Sequence, residues 1–181
     1  MRMRKSFLLP LIVVLLLFLS GCNADENTVA QETISAEHRI VATTMSTLEI
    51  MEKLELDVVG VPVTSETLPE RYKGVTEVGN AMNPDVEIIK SLKPTDVLSV
   101  TTLEYDLADG FKEMGLPTTF VDFQSIESMN KEITKLGEKY NRVDQAEKLV
   151  SVYTDKIQEI QEQVKGKESP KVLVLLGIPG S

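Results

Sequence analysis

Short β-rich segments alternate with amphipathic helical segments between residues 39 and 121, and this alternation constrains the fold more than any other feature. The segments predicted as strands are Arg39–Ala42, Val58–Val63, Asp96–Val100 and Thr118–Val121. Apolar residues between the last two recur at helical spacing, at Leu107, Phe111 and Met114. Such alternation predicts parallel β-α units, and therefore an α/β fold with a parallel sheet flanked by helices.

Two helix starts are predicted from capping patterns. Ser46 and Glu49 match a capping box, with serine as the N-cap and glutamate at the third helical position. Asn83, Pro84 and Asp85 match an asparagine N-cap, a proline at the first helical position and an acid in the first turn. We therefore expect one helix to begin at Ser46 and another at Pro84.

Two longer helical stripes follow. The first consists of Ile126, Met129, Ile133, Leu136 and Tyr140. The second consists of Ala146, Val150, Tyr153, Ile157, Ile160 and Val164. Both are predicted to face the core. The second helix, ending near Gly166, has about 22 residues and a length of ~33 Å, enough to connect one lobe to another.

The N-terminus has the organisation of a secretory signal. Basic residues precede the uncharged segment Phe7–Leu19, which is shorter than the roughly 18 apolar residues of a membrane-spanning helix. The segment ends in Leu19-Ser20-Gly21-Cys22, which resembles the lipobox of bacterial lipoproteins. A free cysteine at an ordinary cleavage site is the alternative.

The lipobox resemblance implies a removed signal peptide, residues 1–21, and lipidation of Cys22, which would hold the protein at the membrane. Residues 22–38 are small and polar and are predicted to be a flexible tether. His38 lies at the edge of this tether, where we expect a solvated side chain rather than an iron ligand.

Charge and motif content exclude several classes of function. A net charge of −9 argues against nucleic acid as a partner. One cysteine and one histidine exclude a disulfide framework and any site that needs two histidines. The sequence has no dinucleotide fingerprint, no phosphate loop, no Gly-x-Ser-x-Gly and no nucleophile paired with a histidine, which argues against an enzyme.

A set of short motifs carries a family resemblance over residues 39–176. The motifs are Leu56–Val61, Val78-Gly79, Asn83–Glu87 and Leu92–Leu98. In this order they resemble the N-terminal lobe of helical-backbone substrate-binding proteins of ABC transporters, which carry siderophores, cobalamin or heme. The likeness is greatest to the heme-binding members, through Ile40–Thr44, Thr67–Lys73, Val78–Pro84, Leu98–Thr102 and Val172–Ser181.

The resemblance implies a two-lobed organisation. Residues 39–142 would form the N-terminal ligand-binding lobe, and residues 143–169 an interlobe helix and linker. Lys171–Leu176 is predicted as an apolar strand, which needs neighbouring strands and a covering layer. We therefore expect residues 170–181 to be the first strand of a C-terminal lobe that is truncated in this chain.

The resemblance also implies a heme site. Met82 matches the methionine that holds heme iron, and the histidine on the other side of the iron would lie beyond Ser181. Heme iron does accept a thioether as an axial ligand. Without the resemblance, Met82 would be interpreted as a hydrophobe that fills a gap in the core.

The resemblance also implies further pocket residues, because Thr44, Met45, Thr64, Ser65 and Glu66 match family positions that line the pocket. Helix starts bind carboxylates such as heme propionates through free N–H groups, which suits Thr44 and Met45. Ser65 and Glu66 depart from one heme-binding member of the family, which carries tyrosine and lysine there. A glutamate facing a propionate would repel it, and Thr64–Glu66 as an ordinary turn stays open.

The function predicted on this basis is capture of heme by a lipoprotein on the extracellular face of the cytoplasmic membrane of a Gram-positive bacterium. The resemblance implies an ABC permease with its ATPase as partners, and cell-wall heme-transfer proteins upstream. The alternatives are a ferric-siderophore or cobalamin binding protein, an enzyme built on a parallel α/β unit, and a truncated surface lipoprotein that binds no ligand.

Overall fold

A parallel β-sheet forms the centre of the computed structural model, which describes residues 38–173. The strands are β1 (Ile40–Ala42), β2 (Gly60–Val61), β3 (Thr76–Glu77), β4 (Gly79–Asn80), β5 (Asn83–Pro84), β6 (Asp96–Val100) and β7 (Thr118–Val121). Five of them form the sheet, all paired in parallel in the order β3-β2-β1-β6-β7. β4 and β5 form an antiparallel hairpin.

Five α-helices accompany these strands in the described part of the chain. They are α1 (Met45–Lys53), α2 (Val86–Ser91), α3 (Glu104–Glu113), α4 (Ile126–Lys139) and α5 (Val143–Val164). Short 3₁₀ turns occupy Glu70–Tyr72 and Thr101–Leu103. The predicted α/β fold, a parallel sheet flanked by helices and followed by a long helix, is confirmed. No helix between residues 38 and 173 is both long enough and apolar enough to cross a membrane.

The chain order of the strands creates a switch point in the sheet. From β1 the chain continues to β2 and β3 on one side, and it then returns to β6 and β7 on the other. Since all five strands are parallel, their carboxyl ends share one edge. Open sheets of this kind bind ligands outside that edge, near the strand at which the order reverses.

The core lies on both faces of the sheet. Ile40 and Leu98 belong to one apolar cluster, with side chains from α1, α4 and α5. Val41 and Val97 belong to a second cluster, with side chains from α2 and α3. Neighbouring strand residues point to opposite faces, so short strands that are apolar throughout can serve two cores at once.

The helix start predicted at Ser46 is wrong by two residues. The N-cap of α1 is Thr44, whose hydroxyl accepts the backbone N–H of Thr47 at 3.2 Å. The Thr47 side chain in turn accepts the backbone N–H of Thr44 at 3.4 Å, which completes a capping box. The chain turns into the helix directly after β1 ends at Ala42, so the earlier threonine takes the cap.

The helix start predicted at Asn83-Pro84 is also wrong. Those two residues form β5, and the N-cap of α2 is Asp85. The Asp85 carboxylate accepts the backbone N–H groups of Glu87 and Ile88 at 3.1 and 3.0 Å. Pairing with β4 keeps Asn83-Pro84 extended, so the helix begins only after the hairpin closes.

The two long helices confirm the predicted stripes in part. α4 packs against α5 at Gly137, where a Cβ atom would lie 2.4 Å from the Cβ of Ala146. In α5 the stripe is buried at Ala146 and half-buried at Tyr153. At Ile160 and Val164, however, 47% and 52% of the residue is exposed. The prediction that the whole stripe faces the core is therefore wrong for the last turns of α5.

Several predictions fall wholly or partly outside the described residues. The signal peptide, Cys22 and the tether up to Glu37 lie before them. Of the predicted strand at Lys171–Leu176, Lys171–Leu173 are described; they are exposed and belong to no strand. The predicted division into lobes therefore stays a prediction.

Candidate ligand-binding site

Three neighbouring loops at the carboxyl edge of the sheet carry the candidate residues. Thr44 and Met45 follow β1, Thr64–Glu66 follow β2, and Met82 lies in the segment after β3. Because these three strands are adjacent and parallel, their loops lie side by side. The structure thus brings all the pocket residues expected from the sequence to one edge.

Met82 lies at the tip of the β4–β5 hairpin. Asn80 and Asn83 pair across the hairpin, which leaves Ala81 and Met82 as its turn. The side-chain oxygen Oδ1 of Asn80 accepts the backbone N–H groups of Met82 and Asn83, both at 3.0 Å. Met82 itself is 66% exposed. The backbone of the turn is therefore fixed by polar contacts, while the thioether projects into solvent.

Gly79 determines how the hairpin meets α2. It has a φ angle of +89°, and a Cβ atom on it would lie 2.7 Å from the backbone N of Asp85 and 2.9 Å from the carbonyl O of Asn83. A side chain at this position would therefore be strained by its backbone conformation and by contact with backbone atoms. This close approach of Gly79 to Asn83 and Asp85 forms the base of the hairpin, and the hairpin places Met82 beyond the end of β3.

The loop after β2 is attached to this hairpin. The backbone N–H of Val63 donates to the carbonyl of Gly79 at 2.8 Å. Within the loop, the hydroxyl of Thr64 accepts the backbone N–H of Glu66 at 3.0 Å, and Ser65 and Glu66 are exposed. The turn that the sequence left open as an alternative is therefore present at the site.

Val63 was not expected at the site from the sequence. It is 45% exposed, although it was predicted to lie inside the second strand. β2 ends at Val61, and Pro62 follows it without a backbone N–H to continue the ladder. Pro62 was the one sequence signal from which we could have predicted that the strand ends before Val63.

The loop after β1 offers backbone rather than side-chain groups. Thr44 is 6% exposed, and its hydroxyl is occupied in capping α1. Met45 is half-buried and is the first residue of the helix. The first N–H groups of a helix have no partner inside it and favour an anion. Thr44 therefore contributes to the site by fixing the helix start.

A cavity of about 270 Å³ is lined by residues of α1, of the segment after β2 and of α5. Its lining residues are Met45, Glu49, Ile50, Glu52, Lys53, Thr67, Pro69 and Tyr153. Met45 is the one candidate residue among them, and the volume is just below the ~300–1,000 Å³ typical of ligand pockets. Met82 does not line this cavity.

The candidate residues at the carboxyl edge include few side chains that could bind a metal ion. Between residues 38 and 173 no three His, Cys, Asp or Glu side chains cluster as metal ligands. Met82 offers one soft thioether, and Glu66 is the only charged side chain among the candidates. An anionic group would therefore have to rely on the backbone N–H groups of α1.

His38 lies at the opposite edge of the sheet. It precedes the amino end of β1, and its ring packs edge-on against Tyr140 with the ring centroids 5.0 Å apart. Met82 follows the carboxyl end of β3. These two side chains therefore cannot ligate the same iron, which agrees with the expectation that His38 is not a ligand.

Comparison with known protein families gives a match over most of the chain. The family model described as periplasmic binding protein matches residues 40–181. The high-affinity heme uptake system protein IsdE of Staphylococcus aureus (strain bovine RF122 / ET3-1) is 41% identical over 180 residues, which is 99% of this chain and 61% of that protein. The chain therefore spans less than two thirds of that relative's length.

Two solved structures share the fold closely. An ABC transporter substrate-binding protein from Listeria monocytogenes EGD-e superposes with a TM-score of 0.76 at 49% identity, covering 80% of this chain and 56% of the other. S. aureus IsdE complexed with heme gives a TM-score of 0.76 at 44% identity, covering 80% and 57%. Each likeness therefore extends over little more than half of the longer protein.

Proposed function

Because the chain belongs to the periplasmic binding protein family, we propose that it is the substrate-binding component of an ABC transporter, with heme as its substrate. The observation that carries the choice of heme is the exposed thioether of Met82, held at the tip of a fixed hairpin on the carboxyl edge of the sheet. The similarity to a heme uptake protein supports it.

Each loop of the edge has a part in the proposed site. The Met82 sulfur would be an axial ligand of the heme iron, since heme iron accepts thioether donors. Val63, exposed beside the hairpin, would give the porphyrin an apolar contact. The N–H groups at the start of α1, next to Thr44 and Met45, would receive a propionate.

The loop Thr64–Glu66 would line the pocket near Met82. Its carboxylate is unfavourable for a propionate, so we propose that the propionates point toward α1 and away from Glu66. This orientation would place the anionic side of heme near the helix dipole and its apolar side near Val63 and Met82.

We further propose that this chain supplies one of two lobes that close on heme. Residues 39–142 would form the first lobe, 143–169 the connecting helix and linker, and 170–181 the first strand of a second lobe. The relatives are longer by an amount that suits a further lobe. A histidine of that lobe would be the second axial ligand, opposite Met82.

The proposed location is the extracellular face of the cytoplasmic membrane, with the protein anchored through lipidated Cys22. An ABC permease and its ATPase would take heme from it, and cell-wall heme-transfer proteins would supply it. In cell fractionation, Cys22→Ser should yield an unprocessed precursor or a protein released from membranes. A Cys22→Ser protein that is still processed and lipid-modified would contradict the anchoring proposal.

A ferric siderophore or a corrinoid is the second candidate ligand, favoured by the carboxylate of Glu66 where the complex is cationic. The purified chain should be titrated with hemin, a ferric hydroxamate siderophore and cobalamin. Heme as substrate predicts a Soret shift with hemin and no saturable response to the other two. Saturable binding of the siderophore or cobalamin, with no hemin spectrum, would favour the second candidate.

A further inference from the structure

The methionines of the described lobe differ sharply in exposure. Met51 is fully buried in the core, and Met45, Met114 and Met129 are half-buried against the apolar clusters. Met82 is 66% exposed. Since an oxidant in solution must reach the sulfur atom, Met82 presents the most accessible thioether among these five residues.

The Met82 side chain does not hold its own hairpin together. The turn is fixed by the Asn80 side chain, which accepts two backbone N–H groups, and by the hydrogen bond from Val63 to Gly79. A change at the Met82 sulfur therefore leaves the frame of the site intact. Chemistry at this atom alters what the hairpin offers a ligand without unfolding the lobe.

We propose that Met82 is a reversible oxidation site that regulates ligand binding: a peroxide oxidises its thioether in the ligand-free protein before the other described methionines, and the sulfoxide lowers the affinity for heme. The second half of this proposal rests on the proposed role of Met82 as an iron ligand. The first half, the preferential oxidation of Met82, depends only on the exposure of that residue.

The oxidation is a simple oxygen transfer. One peroxide oxygen forms a bond to the Met82 sulfur as the O–O bond breaks; the sulfur loses two electrons, and the peroxide leaves as water. The product is polar and chiral, and it lacks the soft thioether donor. A methionine sulfoxide reductase returns the sulfur to the thioether: two thiols supply two electrons and two protons and are oxidised to a disulfide, and the sulfoxide oxygen leaves as water.

The test uses the purified ligand-free chain and limiting hydrogen peroxide. Peptide mass spectrometry measures the sulfoxide fraction at each methionine, and hemin titrations follow before treatment, after treatment and after repair by sulfoxide reductase. Among the five described methionines we expect Met82 to be oxidised first, and we expect the affinity to fall to that of Met82→Leu and to recover on repair. The hemin affinity of Met82→Leu itself should not respond to the same peroxide treatment.

Two results would overturn the inference. One is oxidation of Met45 or Met129 as fast as Met82; the other is an oxidised chain that binds hemin as tightly as the untreated chain. Equal affinity of the untreated chain and Met82→Leu would instead contradict the ligand role proposed above. In that case mass spectrometry could still show that Met82 is oxidised selectively, because that measurement does not depend on heme binding. The oxidation would then have no effect on heme binding.

Discussion

The side chain of Asn80 accepts the backbone N–H of Met82 at 3.0 Å, and this contact fixes the turn that presents the Met82 thioether. The same oxygen accepts the N–H of Asn83, so one amide closes the whole hairpin. The geometry of the proposed iron ligand therefore depends on a neighbouring side chain that does not itself need to contact the ligand.

Asn80→Ala should weaken heme binding while leaving the lobe folded. The substitution removes the acceptor of two hydrogen bonds, each worth about 0.5–1.5 kcal/mol when buried and less at an exposed turn. Hemin titration and thermal unfolding measure the two effects separately. Asn80→Asp keeps the acceptor oxygen and should retain most of the affinity; an Asn80→Ala chain that binds hemin normally would show that the turn does not position Met82.

Glu66→Lys should increase the affinity for hemin. The propionates are proposed to point away from Glu66, so the charge at residue 66 acts at a distance. At roughly 8 Å in water, reversing the sign of that charge changes its interaction with a propionate by about 1 kcal/mol, or roughly fivefold, and salt screens the gain. Hemin titrations at low and high salt measure it. Glu113→Lys makes the same charge change at the far end of α3 and should have no effect. Equal responses of the two variants would indicate only a net-charge effect.

The lobe should lose stability as the pH rises above 10. Burial raises the pKa values of Tyr72 and Tyr140 above their ordinary value of 10.0, and the Asp96 carboxylate raises that of Tyr140 further. The unfolded state therefore releases these protons at lower pH than the folded state, and each tyrosine lowers the free energy of unfolding by up to about 1.4 kcal/mol per pH unit.

Urea unfolding between pH 8 and 11 measures this slope. Tyr140→Phe should reduce it by about the contribution of one tyrosine. Tyr105→Phe is the matched control, because Tyr105 is 96% exposed. A slope that is the same in Tyr140→Phe and in the unmodified chain would mean that the buried phenol does not control the alkaline transition.

The sequence predicted those parts of the fold that depend on local patterns. The β-rich segments predicted strands β6 and β7 at the correct residues, and the second helical stripe predicted helix α5. The helix starts failed, because Thr44-x-x-Thr47 and Ser46-x-x-Glu49 are both plausible caps and the end of β1 decides between them. A local pattern does not contain that tertiary information.

The candidate site was predictable only in outline. Parallel strands bring their carboxyl ends together, but Met45, Thr64 and Met82 were identified through the family resemblance, and strand β3, which precedes Met82, was not predicted. The hairpin was missed, because Ala81-Met82 carries none of the Asn-Gly or Gly-rich signals of a two-residue turn. The Asn80 side chain supplies the closure instead, through a contact that spacing does not reveal.

A single lobe should bind heme weakly and leave one face of the iron open. Joining the chain to the part of the S. aureus relative that it does not match should increase the affinity for hemin, because the proposed second lobe would cover the other face and supply the histidine ligand. Added imidazole should sharpen the hemin spectrum of the single-lobe chain and have little effect on the chimera. Equal affinity in the two proteins, with no response to imidazole in either, would contradict the two-lobed account.

The most direct measurement is a hemin titration of the chain, Met82→Ala and Met82→His, followed by the Soret band. Coordination by the Met82 sulfur predicts a shifted Soret band and lower affinity in Met82→Ala. It predicts a Soret band at a third position, with the affinity restored, in Met82→His, because imidazole is also an axial ligand of heme iron. The same Soret position and the same affinity in all three proteins would show that residue 82 does not touch the iron.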